Sequence, residues 1–141
     1  MRHLFLDTNV LIDFLSDRKP FSTAAAQLFE SRIKGTTALY ISTVSYNNIY
    51  YVLRQLMTHG EVIKLLKELT ALTQVLAVTK EVIEEALKSE FKDFEDAIQN
   101  YTALSNKKIE AIVTRDSKDF KRSSMPILSP LEASKFVELK K

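Results

Sequence analysis

Leu4-Phe5-Leu6-Asp7-Thr8-Asn9-Val10-Leu11-Ile12-Asp13 is the stretch on which the fold turns. Leu4-Phe5-Leu6 is apolar at every position and stops at an acid. A short, uniformly apolar run is what a strand buried on both faces looks like. Asp7 or Thr8 then caps a helix holding Val10, Leu11, Ile12, Phe14 and Leu15. An acid is thereby set at the carboxyl tip of an apolar, central strand.

Outward from there the two patterns alternate. Pro20 breaks the first helix. Ser22 or Thr23 caps the next, which runs through Ala24, Leu28, Phe29 and Ile33 to a C-terminal stop at Gly35. Leu39-Tyr40-Ile41 is a second strand, ending at Ser42. A helix follows with Ile49, Val52, Leu53 and Leu56 on one face, closing near Gly60. Val62, Ile63, Leu65, Leu66 and Leu69 form another amphipathic helix. Val75 to Val78 is a third strand, Val82 to Leu87 and Phe94 to Leu104 are helical, and Ala111 to Thr114 is a fourth strand. Ile127-Leu128 is a short fifth. Ser129 caps a last helix with Pro130 at its first position. The alternation predicts an α/β fold: a three-layer α/β/α sandwich around a mostly parallel sheet of about five strands. With 141 residues and no linker or repeat, one domain covers residues 1–141.

Composition removes several chemistries. There are no cysteines, so disulfides, thiolate metal sites and cysteine nucleophiles are out. The two glycines, Gly35 and Gly60, are far apart, which excludes a glycine-rich phosphate loop. With two histidines, His3 and His59, any metal site must use mainly oxygen ligands. No apolar run approaches the roughly 18 residues of a membrane span, and Asp7 cuts short any leader-peptide reading. A soluble, cytoplasmic protein with no membrane partner is expected.

In sheets of this kind working groups gather beyond the carboxyl ends of the strands. Asp7 ends the first strand. Asp116 follows the fourth, with Asp119 three residues on. Each can equally be a helix cap or a turn former. Asp93 and Asp96 lie three apart in Phe91-Lys92-Asp93-Phe94-Glu95-Asp96-Ala97. On a helix they would share a face with β-carbons about 5–6 Å apart. Asp96 is read as the inward acid, and Asp93 suits the first turn, where the helix dipole favours negative charge. Separate acids with almost no imidazole suggest a hard cation, Mg2+ or Mn2+. Thr8, Asn9 and Thr114 are placed to orient a carboxylate or a water. Residues 107–141 carry nine basic against five acidic side chains, whereas residues 1–106 carry eleven against thirteen. Arg115, Lys118, Lys121 and Arg122 border Asp116 and can form a phosphate-holding rim. Tyr46 and Tyr50 share a helix face and suit packing or a dimer contact, with base stacking as the alternative.

Leu6-Asp7-Thr8-Asn9-Val10-Leu11-Ile12-Asp13, Asp96-Ala97, Thr114-Arg115-Asp116-Ser117-Lys118-Asp119-Phe120 and Ile127-Leu128-Ser129-Pro130 together resemble a PIN domain. The resemblance covers essentially the whole chain. It implies an α/β/α nuclease that uses Mg2+ or Mn2+ to cut RNA, with Asp7, Asp96 and Asp116 catalytic and Asp119 a possible outer ligand. Small single-domain members are often the toxins of VapBC-type pairs, which implies a cognate antitoxin and a homodimer. Hydrolysis would proceed by in-line attack of an activated water and leave a 5′-phosphate end.

The pattern departs from the family at one place. In Ile41-Ser42-Thr43-Val44-Ser45-Tyr46-Asn47-Asn48-Ile49, Asn48 stands where the resemblance implies a glutamate. An amide oxygen can ligate a cation but brings no full charge. Asp93 is the candidate for supplying the missing charge. The alternative is a weakened domain that binds RNA or a protein partner without cutting. A third reading, a phosphatase-like enzyme with Asp7 as nucleophile, would need a second aspartate where Asn9 stands.

Overall fold

A computed structural model describes residues 1–138. Strand β1 (Arg2–Leu6) has Leu4, Phe5 and Leu6 fully buried, so both faces are covered. Alternation sorts its neighbours onto two sides. Leu4 and Leu6 point to the same core as Leu39 and Ile41 of β2 (Thr37–Ser42) and Ala111 and Val113 of β4 (Ala111–Val113). Phe5, Tyr40 and Ile112 point to the other.

The first core is closed by α1 (Thr8–Leu15), α2 (Phe21–Ile33), α3 (Val44–Leu53), α4 (His59–Leu72) and α7 (Pro130–Glu138). The second is closed by Ala103 of α6 (Phe94–Leu104) and by Phe120 from the 3-10 turn Ser117–Phe120. Helix α5 (Lys80–Lys88) packs on α6 through Val82, Ala86, Ala97 and Ile98. With β3 (Gln74–Leu76) and β5 (Ile127–Leu128), the five parallel strands among the described residues take the order β3-β2-β1-β4-β5. Among the described residues seven helices cover the two faces, giving the three layers the alternation predicts.

This order places a switch point between β1 and β4. From β1 the chain moves outward through β2 and β3, then returns to the opposite side as β4 and β5. The connections after β1 and β4 therefore diverge and leave a crevice at the carboxyl edge. Register puts Leu6 beside Val113, so Asp7 and Thr114 emerge together.

Local details differ from the sequence reading in four places. Helix α3 ends at Leu53, and Gly60 lies inside the first turn of α4. Thr58 and Glu61 form a reciprocal capping box there, which starts a helix where glycine suggested a stop. Helix α2 begins at Phe21 with no side-chain cap, because the Ser22 hydroxyl donates to Asp17 Oδ1 instead. Strand β3 is shorter than Val75–Val78 and begins at Gln74. Thr114 lies beyond β4, its hydroxyl turned to the site. Gly35 does terminate α2, with φ +84, a conformation glycine adopts without steric cost. Ser129 and Glu132 cap α7 reciprocally ahead of Pro130.

Candidate active site

Asp7 leaves β1 with its amide still bonded to the Val113 carbonyl, 3.0 Å, and at once caps α1. Its side chain is 5% exposed. Oδ1 accepts from the Thr8 amide at 2.9 Å, and Oδ2 accepts from the Thr114 hydroxyl at 2.8 Å. The cap reading and the site reading of Asp7 therefore hold at once. Burial is the main cause that pushes its carboxyl up to about 6, and the charges of Glu95 and Asp116 add to it.

Asn9 joins the two strand tips. Its Nδ2 faces Asp7 Oδ2 (3.4 Å), Thr114 Oγ1 (3.3 Å) and Asp116 Oδ2 (3.1 Å), while its Oδ1 accepts from the Arg115 amide at 3.4 Å. Asp116, itself exposed, donates its amide to Thr114 Oγ1 at 3.1 Å. Asp7 and Asp116, 109 residues apart in sequence, are thus held through one amide and one hydroxyl.

Helix α6 brings the next acids. Asp93 caps it, Oδ1 accepting from the Asp96 amide at 3.0 Å. Asp96 sits half-buried in the first turn and its carboxyl is pushed up to about 7. Burial is the first cause, followed by the fields of Asp7, Asp93, Asp119 and Glu95. Asp119 also lines the groove beside Asp96.

Under these acids lies a closed polar lattice. Gln99, fully buried one turn after Asp96, accepts from Ser42 Oγ at 2.7 Å and donates to Thr8 Oγ1 (2.9 Å) and Ser45 Oγ (3.0 Å). Thr8 and Ser45 hydroxyls meet at 2.8 Å. β2, α1, α3 and α6 are pinned to one another directly below the site.

The rim divides in two. Lys118, Lys121 and Arg122 line a groove of about 530 Å³ together with Lys92, Asp93, Asp96 and Asp119. Arg115 does not line it. Its Nε donates to the buried Asp13 Oδ2 at 2.6 Å and its guanidinium lies 4.3 Å from the centre of the Phe21 ring. Tyr46 and Tyr50 bond Thr70 (2.6 Å) and His59 Nδ1 (2.9 Å), tying α3 to α4 rather than facing the groove.

Four contributors escaped the sequence reading. Lys92 joins the basic rim. Gln99 and Ser45 build the lattice, and nothing in their residue types announces it. Glu95, half-buried, accepts from Asn48 Nδ2 at 2.7 Å and acts electrostatically on both Asp7 and Asp96. Its place beside Asp96 was the available signal.

Does this set fit a hard divalent cation? The chemistry of the donors does: carboxylate oxygens with hydroxyls beside them, and no sulfur or imidazole in the set. The charge balance agrees. Among the described residues the ion pairs are Arg2–Glu110, Lys19–Asp17, Arg115–Asp13 and Arg122–Glu90, so none neutralises Asp7, Asp96 or Asp116. Among the described residues no three acids or imidazoles close into a ready-made cage. Mg2+ asks for less, since one or two direct carboxylates with retained waters suffice.

A family model described as a PIN domain matches residues 3–118. The chain belongs to the PIN-domain family. Solved PIN-type structures share its fold at low identity. A toxin–antitoxin complex from Klebsiella pneumoniae is 23% identical with a TM-score of 0.64, over 92% of this chain and 98% of that one. VapBC2 from Rickettsia felis, bound to a DNA fragment from its promoter, is 12% identical with a TM-score of 0.65, over 90% and 98%. VapC20 from Mycobacterium tuberculosis, a toxin that cleaves the sarcin-ricin loop, is 17% identical with a TM-score of 0.60, over 77% and 86%. Among curated proteins none matches this sequence significantly. No helix among the described residues is long and apolar enough to cross a membrane.

Proposed function

We propose that this PIN domain is a divalent-metal-dependent endoribonuclease, with Asp7, Asp96 and Asp116 holding Mg2+ or Mn2+. One observation carries the reading. Acids from three separate segments share one field at the switch point of the sheet, and no basic side chain among the described residues is paired with them. When bound, the cation would lower the pKa of a water and neutralise charge on the reacting phosphate.

The chain supplies the rest. The Thr8 amide and the Thr114 hydroxyl fix the rotamer of Asp7 at the strand tip. Asn9 sets the spacing of Asp7 and Asp116. Lys118, Lys121, Arg122 and Lys92 along the groove hold the phosphates on either side of the cut, with Asp119 and Asp93 at its acidic edge. The exposed, open groove suits a single-stranded or looped segment of RNA. By family likeness the role is that of a toxin in a type II pair, restrained in the cytoplasm by a cognate antitoxin that covers the acidic crevice. Homodimerisation belongs to the same reading, and Tyr51 on α3 and Leu56 just after it, at 70% and 68% exposure, present apolar surface for it.

The test is incubation of purified protein with structured and unstructured RNAs and Mn2+. The expected result is cleavage to 5′-phosphate ends, lost with EDTA and lost in Asp7→Asn. Cleavage that survives both rejects the mechanism. Asn48 favours a second reading, a domain that binds RNA or a protein partner without cleaving it. Tight RNA binding with no turnover at any metal concentration would establish that one.

A further inference from the structure

We propose that Glu95 takes the place of the acid missing at position 48, so that the fourth carboxylate of the site is delivered by α6 and held by the Asn48 amide. This rests on the metal-dependent reading above. The hydrogen bond from Asn48 Nδ2 to Glu95 Oε1, at 2.7 Å, crosses from α3 to α6 at the level of the acids. An amide is the side chain suited to face a carboxylate there. It donates to one oxygen and leaves the other free, whereas a glutamate at position 48 would set two like charges against each other.

The backbone agrees with this placement. Glu95 and Asp96 occupy the first turn of α6, where negative charge is favoured by the helix dipole. The same helix is fixed to α1 and α3 one turn later by Gln99, so the first turn cannot drift from the tip of β1. Glu95 is half-buried beside Asp7 and Asp96, and its charge reaches both. Asp93, the other acid available, is exposed and has Oδ1 committed to the Asp96 amide. Asn48 is on this view not a lesion. The carboxylate has moved across the crevice, and the amide that replaced it now aims the carboxylate that took over.

The test measures Mn2+ affinity by calorimetry and by electron paramagnetic resonance of the free ion, without RNA. Glu95→Gln removes charge at nearly constant shape and should weaken Mn2+ binding at least about tenfold. Asn48→Ala should weaken it less, since the carboxylate stays but is no longer aimed. The double variant Asn48→Glu/Glu95→Gln reverses the pair, with the amide now on α6, and should regain most of the affinity. Thermal melts confirm that each variant is folded. Should Asp7→Asn lose affinity while Glu95→Gln binds Mn2+ within twofold of the parent, Glu95 is outside the site and the proposal falls alone. Should the parent itself bind no Mn2+, the metal-dependent reading falls and takes the proposal with it.

Discussion

Two aspartates six residues apart in the first βα unit meet opposite fates. Asp13, on α1, is 1% exposed and has the Arg115 guanidinium 2.6 Å away. Asp7, at the start of the same helix, is 5% exposed and has no basic partner among the described residues: its hydrogen bonds come from an amide proton, a hydroxyl and the Asn9 amide, and the nearby charges of Glu95 and Asp116 are of its own sign. Arg115 follows Thr114 at the very strand tip that holds Asp7, yet it turns to Asp13. A buried carboxylate without a counter-charge is costly. The chain places a cation beside one of the pair and not beside the other. On the proposed metal-dependent reading the second is neutralised from outside, and the presence or absence of an internal counter-charge is what would separate structural from functional burial here.

The contrast can be broken most severely at Asp7. If Asp7 holds the cation as proposed, removing its carboxylate forfeits several kcal/mol of charge stabilisation. Asp7→Asn should therefore cut RNA cleavage by about a thousandfold, each ~1.4 kcal/mol being a factor of ten. Single-turnover rates at saturating Mn2+ measure it, and a variant within tenfold of the parent would remove Asp7 from the chemistry.

At the other aspartate the expected loss is of stability. Arg115→Ala strands the Asp13 charge, which should cost about 3 kcal/mol, lowering Tm by roughly 10 °C in a domain of this size. Removing Asp13 as well should recover most of that. If Arg115→Ala instead keeps its Tm and loses RNA affinity, Arg115 belongs to the rim after all.

The pH dependence sharpens the comparison further. Asp7 has its carboxyl raised from an ordinary 3.8 to about 6. The folded form thus binds that proton more tightly than the unfolded chain, so Asp7 makes folding less favourable as pH rises from about 4 through about 6. In EDTA, urea melts should show this decline, of order 1–3 kcal/mol, as the difference between wild type and Asp7→Asn. The variant should be the more stable at pH 7.5 and indistinguishable at pH 3.5. Added Mn2+ should then raise the stability of wild type alone. Equal stabilities at both pH values would mean that Asp7 carries no such burden.

Smallest is the effect at the rim. Lys118→Ala and Lys121→Ala should each weaken RNA binding about threefold and lower the salt dependence by roughly one ion. Fluorescence anisotropy at several salt concentrations would show it, and an unchanged slope would move the RNA path away from the groove.

The architecture was legible because apolar triplets such as Leu4-Phe5-Leu6 and Ala111-Ile112-Val113 end at polar residues and alternate with helical patterns. That signal is local. Asp7 and Asp116 could be singled out for the same reason: each follows a strand. Arg115 was read as part of the phosphate rim because it adjoins Asp116 in sequence, and its bond to Asp13 depends on how α1 packs across the tip of β4. The Asn48–Glu95 hydrogen bond joins residues 47 apart and turns on how α3 and α6 approach. Gly60 misled because glycine is tolerated in the first turn of a helix whose cap, Thr58 with Glu61, is strong. Each of these is a contact between elements, which no periodicity within one element records.

The lattice around Gln99 has a consequence for evolution of this chain. Four side chains share their protons in a sealed space, and each is the partner of at least one other. An apolar replacement at any single one orphans its neighbours, so drift at positions 8, 42, 45 and 99 would have to be concerted. A saturation library screened for folded protein should find Gln99, fully buried beneath the acids, among the least replaceable residues in the chain.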